Sequence, residues 1–184
     1  MENSSRVTIE RRESGNSDFK YLVSLLDESL HKTYGALQSK YDKLNVIESL
    51  TTVVVAKEDN VSVGCGCFKE FDKDTIEIKR MFVKEDNRGR GIATKILNEL
   101  ENWAVELGFS KSILETGKKQ REAIHLYKKN GYKQIENYGQ YAGFESSVCF
   151  AKNLKYLPRP TIRRCAGGLC SSDRKLSPRL TRRA

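Results

Sequence analysis

Arg88-Gly89-Arg90-Gly91-Ile92-Ala93-Thr94 marks the point where the hydrophobic period of this chain changes. Before it, Val61 to Phe71 and Thr75 to Lys84 alternate as strands do. After it, Ile92, Ile96, Leu97, Leu100, Trp103, Ala104 and Leu107 recur at the spacing of one helix face, and Gly108 supplies the stop. A strand that hands over to a helix through a Gly-rich turn has a chemical consequence. The first helical amides have no intrahelical acceptor, and the aligned peptide dipoles place about half a positive charge there. Such a turn can receive a pyrophosphate, with Arg88 and Arg90 adding charge. Turns and caps use the same residues for conformational reasons alone. Two familiar phosphate loops do not fit, since the dinucleotide pattern needs a third glycine where Thr94 stands and the triphosphate loop needs Gly-Lys-Ser/Thr.

Toward the N-terminus, Thr51 to Ala56 is β-branched and reads as a buried strand. The turns Glu58-Asp59-Asn60 and Asp72-Lys73-Asp74 join it to the two alternating runs as an antiparallel meander. Upstream, Val7 to Glu10 is a short strand. Ser17 is read as the cap of a helix whose stripe is Phe19, Leu22, Val23, Leu26 and Leu30; Tyr34, Leu37, Tyr41 and Leu44 continue that stripe less regularly, and the run is counted as two helices in the element order. Toward the C-terminus come a strand at Ser112 to Glu115 and a helix at Gln120 to Lys129 stopped by Asn130-Gly131. Strands at Tyr132 to Ile135 and Ser147 to Lys152 follow. The order β-α-α-β-β-β-α-β-α-β-β predicts a mixed α/β (α+β) fold, a mixed sheet with helices on its faces.

With 184 residues, 38% hydrophobic and 31% charged, the chain can bury one ordinary core, which excludes wholesale disorder and collagen-like repetition. The longest apolar runs, Val53 to Ala56 and Val148 to Ala151, are far short of the roughly 20 residues a membrane helix needs. Glu2, Glu10 and Glu13 suit neither a secretory signal nor a transit peptide, so a cytoplasmic setting without a membrane partner is expected. The net charge of +9 is concentrated in residues 155–184, which hold nine Lys/Arg against Asp173 alone. The body is therefore nearly neutral. Residues 1–154 are read as one domain, and 155–184, with Pro158, Pro160, Pro178, Gly167 and Gly168, as a disordered basic tail. That tail is read as a flexible end unrelated to the fold rather than as a binder of nucleic acid or acidic membranes.

Five cysteines without framework spacing imply no disulfides. Cys165 and Cys170 lack the two-residue gap of zinc knuckles, and His31 and His125 lack paired ligand spacing, so no metal is expected.

Three motifs follow one another in order. Ile78-Lys79-Arg80-Met81-Phe82-Val83 leads into Arg88-x-x-Gly91-x-Ala93, Leu114-Glu115-Thr116 comes next, and Ala123-x-x-Leu126-Tyr127 precedes Gly131-Tyr132. Together they resemble the GNAT superfamily, the acyl-coenzyme A dependent N-acyltransferases, over roughly Val7 to Asn153. The resemblance implies a central mixed, mostly antiparallel sheet of about seven strands with about four helices on its faces. It implies acetyl-CoA as co-substrate, with Arg88, Gly89, Arg90, Gly91, Ile92, Ala93 and Thr94 at the pyrophosphate. A bulged strand splayed from its parallel neighbour would offer the backbone of Met81, Phe82 and Val83 to pantetheine, one amide polarising the thioester carbonyl. Losing one such donor costs about 3 kcal/mol. Gln120 stands where the family commonly has Asn, and would offer coenzyme A the same amide at longer reach.

An alkyl amine is neutral in roughly one molecule in a few thousand at pH 7, so an acetyl acceptor must first lose a proton. Glu77, on the opposite strand face from Ile76 and Ile78, is the candidate base, directly or through a water; pairing with Lys79 or a cross-strand cation is its alternative role. By resemblance, Tyr127 is the general acid for the departing thiolate, against a plain core aromatic. Full proton transfer from a phenol to a thiolate is uphill by about 2 kcal/mol, so a hydrogen bond to sulfur is the expected form. Tyr138, Tyr141 and Phe144 would line the acceptor pocket or simply pack a loop.

The leading reading is acetyl transfer to a primary amine of a small molecule or peptide in a ternary complex. The others are a non-catalytic acyl-CoA sensor and a tail-mediated nucleic-acid binder. The acceptor and the oligomeric state, a homodimer included, stay open.

Overall fold

The computed structural model describes residues 6–35 and 51–155. In chain order the elements are β1 (Val7–Arg12), α1 (Ser17–Tyr34), β2 (Val53–Glu58), β3 (Val61–Asp72), β4 (Thr75–Val83), α2 (Ile92–Glu106), β5 (Lys111–Gly117), α3 (Arg121–Lys129), β6 (Lys133–Ile135) and β7 (Ser147–Asn153). Short 3-10 turns cover Glu85–Asn87 and Gly139–Tyr141. Seven strands form one sheet in the order β1-β2-β3-β4-β5-β7-β6. Every neighbouring pair is antiparallel except β4–β5, which the α2 crossover makes parallel.

The two faces are covered differently. Val54, Phe68, Ile76, Ile78, Leu114 and Phe150 meet Ile92, Ile96, Leu97, Leu100 and Ala104 of α2. On the other face, Phe19 and Leu22 of α1 pack over Val53, Val55, Cys65 and Cys67. Burying each of these large side chains contributes about 1.5–3 kcal/mol, so both helices are fixed to the sheet by their apolar stripes. Among the described residues, no helix is long and apolar enough to cross a membrane.

Two expectations are corrected. The cap of α1 is Asn16, whose Oδ1 accepts from the Phe19 amide at 3.0 Å; both residues are good caps, and the one with the extended backbone takes the role. Leu107 is 55% exposed, because α2 ends at Glu106 and Leu107 is its C-cap rather than part of its buried stripe. Among the described residues there are three α-helices. The predicted helix through Leu37, Tyr41 and Leu44 lies outside the described residues, as does the tail beyond Lys155.

Candidate active site

The parallel pairing of β4 with β5 stops at Ile78↔Leu114, and the two strands part beyond it. Just past that point the β3–β4 register shifts, with Cys67 opposite Lys79 but Cys65 opposite Phe82, so β4 carries one extra residue. Within this bulge Arg80 has φ +56°, a left-handed conformation that L side chains rarely adopt. Its Nη1 pairs with Asp27 Oδ1 of α1 at 2.5 Å. The bulge breaks ladder bonds, and thiols from β3 meet the displaced carbonyls: Cys67 Sγ donates to Lys79 O at 3.4 Å and Cys65 Sγ to Arg80 O at 3.6 Å. Burial pushes both thiols up, Cys67 to about 12, so they stay protonated donors.

Beyond the splay, Val83 leads into the Gly-rich loop. Gly89 and Gly91 have φ +74° and +76°, and among the described residues no atom beyond the local backbone lies within 4 Å of where a Cβ on either would project. The loop is therefore open on that side. Gly91 caps α2, whose first backbone bond runs from Lys95 N to Gly91 O at 3.1 Å, so the amides of Ile92, Ala93 and Thr94 precede the helical ladder. Arg88 folds back, donating from Nε to Val83 O at 3.0 Å, with Glu122 Oε2 3.6 Å from Nη1. Arg90 turns the other way and grips Glu58 of β2 with two hydrogen bonds, while Asn87 Nδ2 reaches the same carboxylate at 2.9 Å. Glu58 thus anchors the loop to the sheet and neutralises one of its two arginines.

The α1 side of β4 carries a buried polar cluster. Glu77, only 1% exposed, accepts from the Tyr138 hydroxyl at 3.1 Å and pairs through Oε2 with Lys69 at 3.1 Å and Lys79 at 3.8 Å. Lys79 donates to the Tyr141 hydroxyl at 3.0 Å. Tyr138 and Tyr141 pack edge to face at 5.6 Å, and Phe71 packs on Tyr138 at 5.4 Å. On β5, Glu115 accepts from the Ser147 hydroxyl at 2.5 Å. Burial shifts the cluster's groups toward neutrality, pulling Lys79 down and pushing Glu115, Tyr138 and Tyr141 up.

On the opposite face, Tyr127 is 5% exposed, packed between Tyr132 and Phe150, and burial raises its pKa. It is a protonated phenol across the whole physiological range. Gln120, just before α3, spends its carbonyl oxygen on Thr116 Oγ1 at 2.8 Å and Gly117 N at 3.1 Å. Only its amide nitrogen could serve a ligand.

The Acetyltransferase (GNAT) family matches residues 19–132. An IAA acetyltransferase of Azospirillum brasilense is 31% identical over 150 residues, covering 80% of this chain and 98% of the relative. The chain belongs to the GNAT acetyltransferase family. It is an acyltransferase. Among solved structures, this GNAT chain resembles an acyl-CoA N-acyltransferase from Klebsiella pneumoniae (26% identity, TM-score 0.65, 83% of this chain and 99% of that one). It shares its fold with a PaiA N-acetyltransferase from Thermoplasma acidophilum in complex with coenzyme A, at 18% identity and TM-score 0.59 over 80% of this chain and 99% of that one.

Within this GNAT domain the structure brings Met81, Phe82 and Val83 beside the loop from Arg88 to Thr94 at the open end of the β4–β5 cleft. The partners expected as alternatives for Glu77 are both present, Lys79 on its own strand and Lys69 opposite it. Sequence reasoning missed Glu58, Asp27, Glu115 and Ser147. Their roles depend on register and helix placement, for which no local pattern speaks. The Arg80 bulge has a faint signal: Ile76 and Ile78 lie in the core, but a strict period of two fails two residues later.

Proposed function

We propose that this GNAT enzyme transfers an acetyl group from acetyl-CoA to a primary amine of a small molecule or peptide, in the cytoplasm, by direct attack within a ternary complex. The observation that carries this is the continuity of two open features. Strand β4 leaves β5 after Ile78, and the helix capped by Gly91 starts at Ile92, just beyond the end of β4 at Val83. The amides from Gly89 to Thr94 and the Arg88 guanidinium hold the pyrophosphate. The backbone of Met81, Phe82 and Val83 pairs with pantetheine, one amide facing the oxygen that becomes negative as the amine adds to the acyl carbon.

Glu77 takes the proton released by the amine. Its carboxylate is buried and already accepts from Tyr138, so the proton arrives through an intermediary, a water or that phenol. The carbon–sulfur bond then breaks, and the Tyr127 hydroxyl stabilises the departing thiolate by hydrogen bonding. Tyr138 and Tyr141 line the acceptor side. Gln120 contributes at most an amide N–H to the coenzyme.

Calorimetry with coenzyme A, followed by acetyl-CoA consumption across an amine panel, tests the reading. Glu77→Gln should lower kcat by about 10²–10⁴-fold and Tyr127→Phe by roughly 10–100-fold, each with coenzyme binding preserved. Unchanged turnover in either variant removes the role assigned to that residue. No heat of binding with folded protein removes the whole reading.

A further inference from the structure

Helix α1 touches both strands of the cleft. Asp27 pairs with Arg80 at the β4 bulge, and seven residues later the Tyr34 hydroxyl rests against Gly117 at the end of β5, so close that a Cβ there would collide with it. Residues seven apart share one helix face and sit about 10 Å apart along the axis. The two anchor points, Arg80 and Gly117, lie on β4 and β5 beyond the last pair that joins these strands, Ile78↔Leu114. We infer that α1 is a brace that sets the width of the β4–β5 cleft, with Asp27 and Tyr34 as positioning residues for acyl transfer.

The strain is located where the brace acts. Arg80 holds a positive φ at a bulge position that glycine takes in one class of bulge. Such a conformation persists only when the surroundings impose it. The Asp27 carboxylate, with Arg80's side chain only 9% exposed, supplies that constraint from α1, and Phe19 and Leu22 fix α1 to the sheet. The bulge in turn orients the backbone of Met81 to Val83. The brace therefore acts on the amide that faces the thioester, and not on the loop that holds the pyrophosphate.

This inference rests on the coenzyme site proposed above, and the experiment separates the two. The full chain is measured for coenzyme A affinity and for kcat with the best acceptor from the amine panel. Asp27→Asn and Tyr34→Ala should each lower kcat by roughly 10–100-fold, with coenzyme A affinity held within about threefold, because a shift of about 1 Å at the reacting group is enough. Arg80→Gly added to Asp27→Asn should recover most of the lost kcat, since glycine keeps the positive φ without an anchor. A contact that only supports stability would lower the melting temperature without this rescue. Wild-type kcat in folded Asp27→Asn, a parallel loss of coenzyme affinity, or failure of the glycine to rescue would each overturn the brace. If the parent chain itself binds no coenzyme A, the site proposed above fails first, and the brace falls with it.

Discussion

Burial pushes the Glu115 carboxyl above its ordinary value of 4.5, more strongly than the Ser147 hydroxyl bond pulls it down. An acid raised in the fold contributes stability that is full below pH 4.5 and is lost as pH rises through the raised value. At neutral pH its ionisation therefore works against folding. Glu115→Gln, which keeps an acceptor for Ser147, should melt at a higher temperature than the parent at pH 7, with the difference closing as pH approaches 4. A gain that persisted unchanged at pH 4 would show that charge burial is not its source. For Lys79, held below its ordinary 10.5 by burial, the sign is mirrored: the fold is favoured above 10.5, and that contribution is lost as pH falls through the depressed value. Alternation alone was enough to set Glu77 apart from Ile76 and Ile78. It could not say that two ammonium groups and a phenol from a loop 61 residues away converge on that carboxylate.

The elements that build the site are matched to one another through very little space. Met81 of β4 and Ile96 and Leu100 of α2 close over Gly66 of β3, where a Cβ would stand 2.5 Å from Met81 Sδ and 3.0 Å from Leu100 Cδ1. Gly66→Ala should cost about 1–3 kcal/mol by overpacking, read as a fall in melting temperature of about 2–4 °C per kcal/mol. A melting temperature equal to the parent's would mean that the two elements are free to separate there. Helix α2 was legible in the sequence almost to the residue, because one stripe of Ile92, Ile96, Leu97, Leu100 and Ala104 reports its own buried face. Its buried Glu101 was not. That position is explained by Lys152 of β7, which donates to it at 2.6 Å across 51 residues of sequence.

At the scale of the whole molecule, the charge is divided between a near-neutral body and a basic end. We propose residues 1–154 as the acyltransferase domain and 155–184 as an accessory tail. Truncation after Leu154 should leave kcat and coenzyme affinity within about twofold of the full chain, removing only binding to polyanions that weakens steeply with salt. Lost turnover in the truncated protein would place part of the tail in the enzyme.

The sequence by itself determined the order and type of the described elements, the Gly-rich start of α2 and the family, because hydrophobic period, turn residues and short motifs are properties of neighbouring residues. Only the tertiary structure decided where β4 leaves β5, which cations meet Glu77 and how α1 spans the cleft. Each of those depends on a bulge, a register or a helix placement that brings distant residues together, and the free energy that selects them resides in packing between elements rather than within any one of them.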